Sequence, residues 1–226
     1  MSQIKAIETF YKGYHFRSRL EARWAVFFDT LGMSWKYEDQ GFERDLGGYT
    51  ATPEGETYVA SIVRYLPDFY LPNRWGGGGI YVEVKGDKDA PKKKWWDNAR
   101  MHDYGGILPD FDDSNGKSTA GLLLLSEIPE ASESKLYFHP IIQHHKGLVK
   151  NYAFFDSSGV SVVKESPLAD ILGVAPVWGL DYEEDNWNID VQQFHVNRHY
   201  PNVVAAYAAA RAARFEHGQQ GIRRND

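Results

Sequence analysis

Two acidic residues and one lysine are spaced so that they could share a divalent ion and a phosphate. Residues 80–85 read as a short β-strand, and a strand sends alternate side chains to opposite faces. Tyr81, Glu83 and Lys85 therefore share one face, and Val82 and Val84 share the other. The midpoint between Asp68 and Glu83 falls between Trp75 and Gly76, inside residues 73–79, whose four consecutive glycines demand a turn or loop. An antiparallel hairpin centred there sets Asp68 opposite Glu83, with Cβ atoms about 4.5–5.5 Å apart. Carboxylates that close repel each other and weaken the sheet, and a bound cation reverses the sign of that interaction. Hard cations such as Mg²⁺ take oxygen ligands, often one or two carboxylates with waters and phosphate. Such an ion acts as a Lewis acid and lowers the pKa of a bound water. Lys85 would stabilise negative charge developing on the phosphorus oxygens. The arrangement suits phosphodiester hydrolysis, on the assumption that the hairpin keeps this register.

The elements that must position these groups are legible nearby. Leu20, Trp24, Phe27, Phe28 and Leu31 recur at helical spacing, and Gly32 supplies a stop, which predicts a helix over 18–31. Residues 35–42 alternate as a strand, 47–55 read as a polar loop, and 57–65 are β-branched and aromatic. Pro67 keeps Leu66 extended, so Asp68 starts a strand that runs to Leu71. Residues 92–101 read as a helix behind Pro91. Further on, 104–118 is a polar, mobile-loop composition, 120–126 is an apolar strand, and 136–143, 148–155 and 160–164 form a meander. Residues 200–217 read as an alanine-rich helix closed by Gly218.

Two stretches, Leu66-Pro67-Asp68-Phe69-Tyr70-Leu71 and Tyr81-Val82-Glu83-Val84-Lys85-Gly86, resemble the signature of the PD-(D/E)XK nucleases. Upstream, Phe16-Arg17-Ser18-Arg19-Leu20-Glu21-Ala22-Arg23-Trp24 resembles the acidic first helix common in that superfamily. The resemblance covers about residues 14–103 and is closest to small phage and mobile-element nucleases of the resolvase-like or transposon-end-cutting type. It implies that Asp68 and Glu83 bind Mg²⁺ or Mn²⁺ together with Val84 and with Glu21, which completes the site from the helix, and that Lys85 is catalytic. It also implies DNA as substrate, and it leaves room for a homodimer or an accessory protein partner. The glycine loop and the insertion at 47–55 depart from the family pattern and leave the subgroup open.

Composition sets the outer limits. The chain has 226 residues, 42% apolar and 25% charged, ordinary values for a globular protein. It has no cysteine, which removes disulfides and thiolate sites and fits a cytoplasmic setting, that of the host cell if the chain is phage-encoded. No apolar run is long enough for a membrane span. The net charge of −6 argues against a nucleic-acid partner until its distribution is read. Residues 1–105 hold 15 Lys/Arg and 15 Asp/Glu, and the whole acidic excess lies in 106–226. Arg17, Arg19 and Arg23, then Lys88, Lys92, Lys93 and Lys94, form two basic clusters that would hold a phosphate backbone, or else are simply solvated.

Other residues carry competing readings. Ser18-x-x-Glu21 is a capping box, which would commit the Glu21 carboxylate to the helix N-terminus. Leu108-Pro109-Asp110-Phe111 and Glu133-Ser134-Lys135 repeat pieces of the motif in polar, turn-rich surroundings and are rejected. His139, His144 and His145 match no ligand spacing and read as core or surface histidines. The expected fold is α/β: a restriction-endonuclease-like mixed central sheet flanked by helices, with a C-terminal β-meander and helix extension. Residues 1–105 form the nuclease core, 106–198 extend the sheet and add acidic aromatic loops, and 199–226 form the terminal helix and tail. The expected function is metal-dependent endonucleolytic cleavage of DNA. The alternative is a catalytically silent nucleic-acid-binding or complex subunit that keeps the fold.

Overall fold

A mixed sheet, buried on both faces at its central strands β9 and β10, organises the fold. In the computed structural model, residues 6–45, 47–53, 55–72, 79–86, 108, 121–131, 137, 139–144, 148–156, 159–164 and 200–215 are described. Their elements run β1 (Thr9–Tyr11), β2 (Tyr14–Phe16), α1 (Arg19–Thr30), β3 (Lys36–Tyr37), β4 (Phe42–Asp45), β5 (Gly48–Thr52), β6 (Gly55–Val59), β7 (Ile62–Tyr65), β8 (Phe69–Leu71), β9 (Ile80–Val84), β10 (Gly121–Leu125), β11 (His139–His144), β12 (Leu148–Asp156), β13 (Gly159–Lys164) and α2 (Pro201–Ala212). Seven strands form the central sheet in the order β13-β12-β11-β10-β9-β8-β3. β9 and β10 pair in parallel and the other pairs are antiparallel. The β11–β13 meander extends the sheet that carries β8 and β9, as the sequence suggests.

Val82, Val84, Leu123, Leu125, Ile141, Ala153 and Phe155 form one buried face of the sheet. Over it lie α1, through Ala22, Trp24, Ala25, Phe27 and Phe28, and α2, through Val203, Ala206, Tyr207 and Ala210. Small alanines on α2 let the two helices approach closely. Trp24 fixes α1 to the sheet twice, by its buried rings and by an Nε1–H bond to the Ser126 carbonyl of 2.6 Å. Tyr81, Leu122 and Leu124 form the opposite face and pack with Tyr65 and Leu108. Because both faces are covered, all five residues of β9 and of β10 are buried, and β10 reads as an unbroken apolar run.

The structure corrects the sequence reading in several places: the last helix, expected over 200–217, spans Pro201–Ala212, and the strand expected over 57–65 is split into β6 and β7. Residues 47–55, expected to be a polar loop, contain β5, which pairs with β6. Phe42↔Tyr65 through Asp45↔Ile62 and Gly48↔Val59 through Thr52↔Gly55 keep a single register, so β4–β5 and β6–β7 form one ribbon. The ribbon's outer half is exposed on both faces, so it lacks the hydrophobic alternation that announces a strand. The strand expected over 35–42 pairs with the sheet only at Lys36 and Tyr37. The β1–β2 hairpin was not expected at all, although Lys12 and Gly13, both at positive φ (49° and 84°), form a two-residue turn between alternating residues. The helix expected over 92–101 lies outside the described residues.

His139 sits on β11 at the centre of the helix-covered face, fully buried. Its ring packs on Trp24 and Phe155, and its Nε2 lies 3.2 Å from the Tyr207 hydroxyl. This is the core-histidine reading. Burial pushes its pKa down to about 3. The unfolded chain, with a histidine near about 6.5, binds the proton first as pH falls. The stability that neutral His139 supports is complete above about 6.5 and drains as pH falls toward 3. Denaturant midpoints measured at pH 7 and pH 4.5 should fall less for His139→Gln than for the wild type. Equal falls would contradict this assignment.

Candidate active site

Asp68, Glu83 and Lys85 meet where β8 begins and β9 ends. The β8–β9 pairing is Phe69↔Val82, Tyr70↔Tyr81 and Leu71↔Ile80. One more step along that ladder sets Asp68 across from Glu83, the register read from the sequence. Gly79 closes the hairpin, and a Cβ there would run into the Leu71 carbonyl and the Tyr70 ring. Pro67 and Asp68 are buried, as is Glu83, so the acids sit in the sheet and not on a solvated rim.

Each carboxylate oxygen has a distinct partner. Asp68 Oδ2 accepts the Val84 N–H at 2.6 Å, which ties the first strand's acid to the second strand's backbone. Asp68 Oδ1 accepts Arg17 Nη2 at 2.6 Å. Glu83 Oε2 accepts the Tyr65 hydroxyl at 2.8 Å, and Glu83 Oε1 pairs with Lys85 Nζ two residues on. The Glu38 N–H bonds the Asp68 carbonyl at 3.0 Å, while the Glu38 carboxylate takes Arg17 Nε at 2.8 Å.

Burial first, and then the charge of Glu83, push Asp68 up to about 7, against the opposing pull of the Val84 N–H. Among the described residues, the charged side chains around the pair are the carboxylates Glu21, Glu38, Asp68 and Glu83 and the cations Arg17 and Lys85, so the acids outnumber the bases. An all-oxygen, buried pair of acids fits a hard divalent cation.

Glu21 departs from the expected ligand set. It lies close enough for its charge to raise Asp68. Its own carboxylate, however, is closed by three donors: Ser18 Oγ at 2.7 Å, the Tyr37 hydroxyl at 2.6 Å and the Arg17 N–H at 3.1 Å. Ser18 Oγ in turn accepts the Glu21 N–H, the N-cap half of the expected capping box, while the Glu21 carboxylate meets the Ser18 hydroxyl and the Arg17 N–H in place of the Ser18 N–H. Among the described residues, no three His, Asp or Glu side chains gather closely enough to hold an ion between them. Among the described residues, the pair across the hairpin is the part of the acidic cluster free of the helix entry. Val84 enters through its N–H.

Of the basic residues, Arg17 stands on Asp68 rather than apart from it. Arg19 and Arg23 lie on α1, both half-buried, and Arg23 Nε is buried with no partner among the described residues. Lys88, Lys92, Lys93 and Lys94 lie outside the described residues, as do Asp110, Glu133, Lys135 and His145. Tyr65, Tyr37 and Glu38 were missed. Tyr65 and Tyr37 end strands that flank the motif, a position that could have flagged them. Nothing in the sequence announces that Glu38 adopts a positive φ of 46°.

Comparison with protein-family models, with curated proteins and with solved structures yields no match to this chain.

The raised Asp68 has a consequence for stability. Its folded pKa of about 7 lies above the unfolded value near 3.9. The folded state is then favoured below about 3.9 and loses that advantage as pH rises through 7. Between pH 4 and pH 8, without divalent ions, the wild type should lose stability relative to Asp68→Asn. Denaturation curves at the two pH values measure this, and a constant difference would contradict it.

Proposed function

We propose that this protein is a metal-dependent endonuclease of the restriction-endonuclease-like type that hydrolyses DNA phosphodiester bonds. The observation that carries this reading is the buried Asp68–Glu83 pair, with Lys85 beside it, at the end of one hairpin. The order of the elements supports it as well: a helix bearing Glu21, then the Asp68 strand, then the Glu83–Lys85 strand, in a mixed sheet covered by helices.

Asp68 and Glu83 would hold Mg²⁺ or Mn²⁺, with the backbone oxygen of Val84 and waters completing the shell. Bound there, the ion supplies a Lewis acid and a water of lowered pKa. Asp68 is kept in place by the Val84 N–H and Glu83 by the Tyr65 hydroxyl, so neither acid must reorganise to accept a charge. Lys85 is partly exposed and pairs with Glu83 Oε1, and from there its ammonium would meet negative charge growing on the phosphate. Glu21 holds the Tyr37 hydroxyl and the Arg17 amide, which makes it a positioning residue for the entry to α1. Arg19 and Arg23, and Lys88, Lys92, Lys93 and Lys94, would carry the duplex by phosphate contacts.

Purified protein incubated with supercoiled plasmid and Mg²⁺ should nick or linearise it. Lys85→Ala should slow cutting by on the order of 10²–10³-fold, and Glu83→Ala should abolish it along with the Mg²⁺ requirement. A wild type as silent as Glu83→Ala, on plasmid and on branched substrates alike, would overturn the nuclease reading in favour of a binding subunit.

A further inference from the structure

We propose that Arg17 is a displaceable counter-ion: its guanidinium holds Asp68 Oδ1 until a divalent cation takes that oxygen, and then turns to the substrate phosphate. The inference rests on the nuclease reading and assigns Arg17 a role within that site beyond general backbone binding.

The argument starts from the oxygens. Asp68 Oδ2 is committed to the Val84 N–H, so Oδ1 is the oxygen left for an ion, and Arg17 Nη2 occupies it at 2.6 Å. The contact is one that can be undone. Asp68 is buried, but the Arg17 side chain is 58% exposed, so its charge need not be desolvated or resolvated in full when it moves. The rest of Arg17 is fixed. Its N–H lies 3.1 Å from Glu21 Oε2 and 3.2 Å from the Tyr37 hydroxyl, which leaves the side chain as the moving part.

Glu38 limits how far it moves. The Glu38 carboxylate holds Arg17 Nε at 2.8 Å, and the Glu38 N–H bonds the Asp68 carbonyl at 3.0 Å. Glu38 does this from a positive φ of 46°, a conformation that non-glycine residues adopt at a cost and that tends to collect at functional sites. The guanidinium is thus tethered to the same backbone that carries Asp68. A dication on Asp68 would repel it, and the tether would keep it within reach of a phosphate bound to that ion. A planar guanidinium matches a phosphate with two parallel hydrogen bonds, which a point charge cannot do.

Two titrations on the full chain test this. By calorimetry, Arg17→Gln should bind Mn²⁺ on the order of tenfold more tightly than the wild type, because one charge-assisted competitor is gone. Lys36→Gln, which removes an exposed positive charge on β3, should stay within about twofold of the wild type. In a Lys85→Ala background, where turnover is slow, Mn²⁺ should strengthen binding of a short DNA duplex, and Arg17→Gln should lose that increment. If Arg17→Gln does not melt cooperatively, Arg17→Lys should show smaller shifts in the same two directions. Unchanged Mn²⁺ affinity in the Arg17 variants, or equal tightening in Lys36→Gln, overturns the proposal. The metal site still stands in those cases if Asp68→Asn removes Mn²⁺ binding. No Mn²⁺ binding by any of the proteins overturns both.

Discussion

The arrangement depends on the burial of two carboxylates at one end of a β-hairpin. A sheet gains nothing from acids packed side by side in a poor dielectric, and Asp68 answers by rising to about 7. Much around it acts to hold that pair in place. The Val84 amide, the Tyr65 hydroxyl, Lys85 and Arg17 each bind one of the four acidic oxygens. Buried acids with a strongly shifted pKa and specific charged partners mark a candidate functional site.

The fold makes this placement possible by covering both faces of the sheet. On one side, α1 and α2 bury Val82 and Val84, and that fixes which way Glu83 and Lys85 point. On the other, Tyr65 at the base of the ribbon packs on Tyr81 and reaches the Glu83 carboxylate. α1 works twice. Its aromatic face anchors it to the sheet, and its N-terminus, capped by Ser18 and Glu21, sets Arg17 over Asp68. A shift of α1 along the sheet would therefore disturb both the core and the charge balance of the site.

Much of this could be read from the residues. The alternation in Ile80–Val84 gave the faces of β9, and the midpoint of Asp68 and Glu83 gave the register, because a hairpin obeys simple pairing arithmetic. The helical spacing of Trp24, Phe27 and Phe28 gave α1 and its buried side. The ribbon of β4–β7 was hidden because its outer half is exposed on both faces, which erases the polar–apolar alternation. Arg17 could be recognised as a cation but not as a partner of Asp68, since 51 residues separate them. Glu38 depended on a backbone conformation that no side-chain pattern encodes. Glu21 had two readings in the sequence, and three donors, the Ser18 and Tyr37 hydroxyls and the Arg17 N–H, now surround its carboxylate.

The most direct test is a crystal structure of the protein grown with saturating Mn²⁺, with the metal located by its anomalous scattering. The account predicts a peak at the mouth of the β8–β9 hairpin, about 2.1 Å from one oxygen each of Asp68 and Glu83. A map with no peak there, or with manganese bound only at other carboxylates, would contradict it.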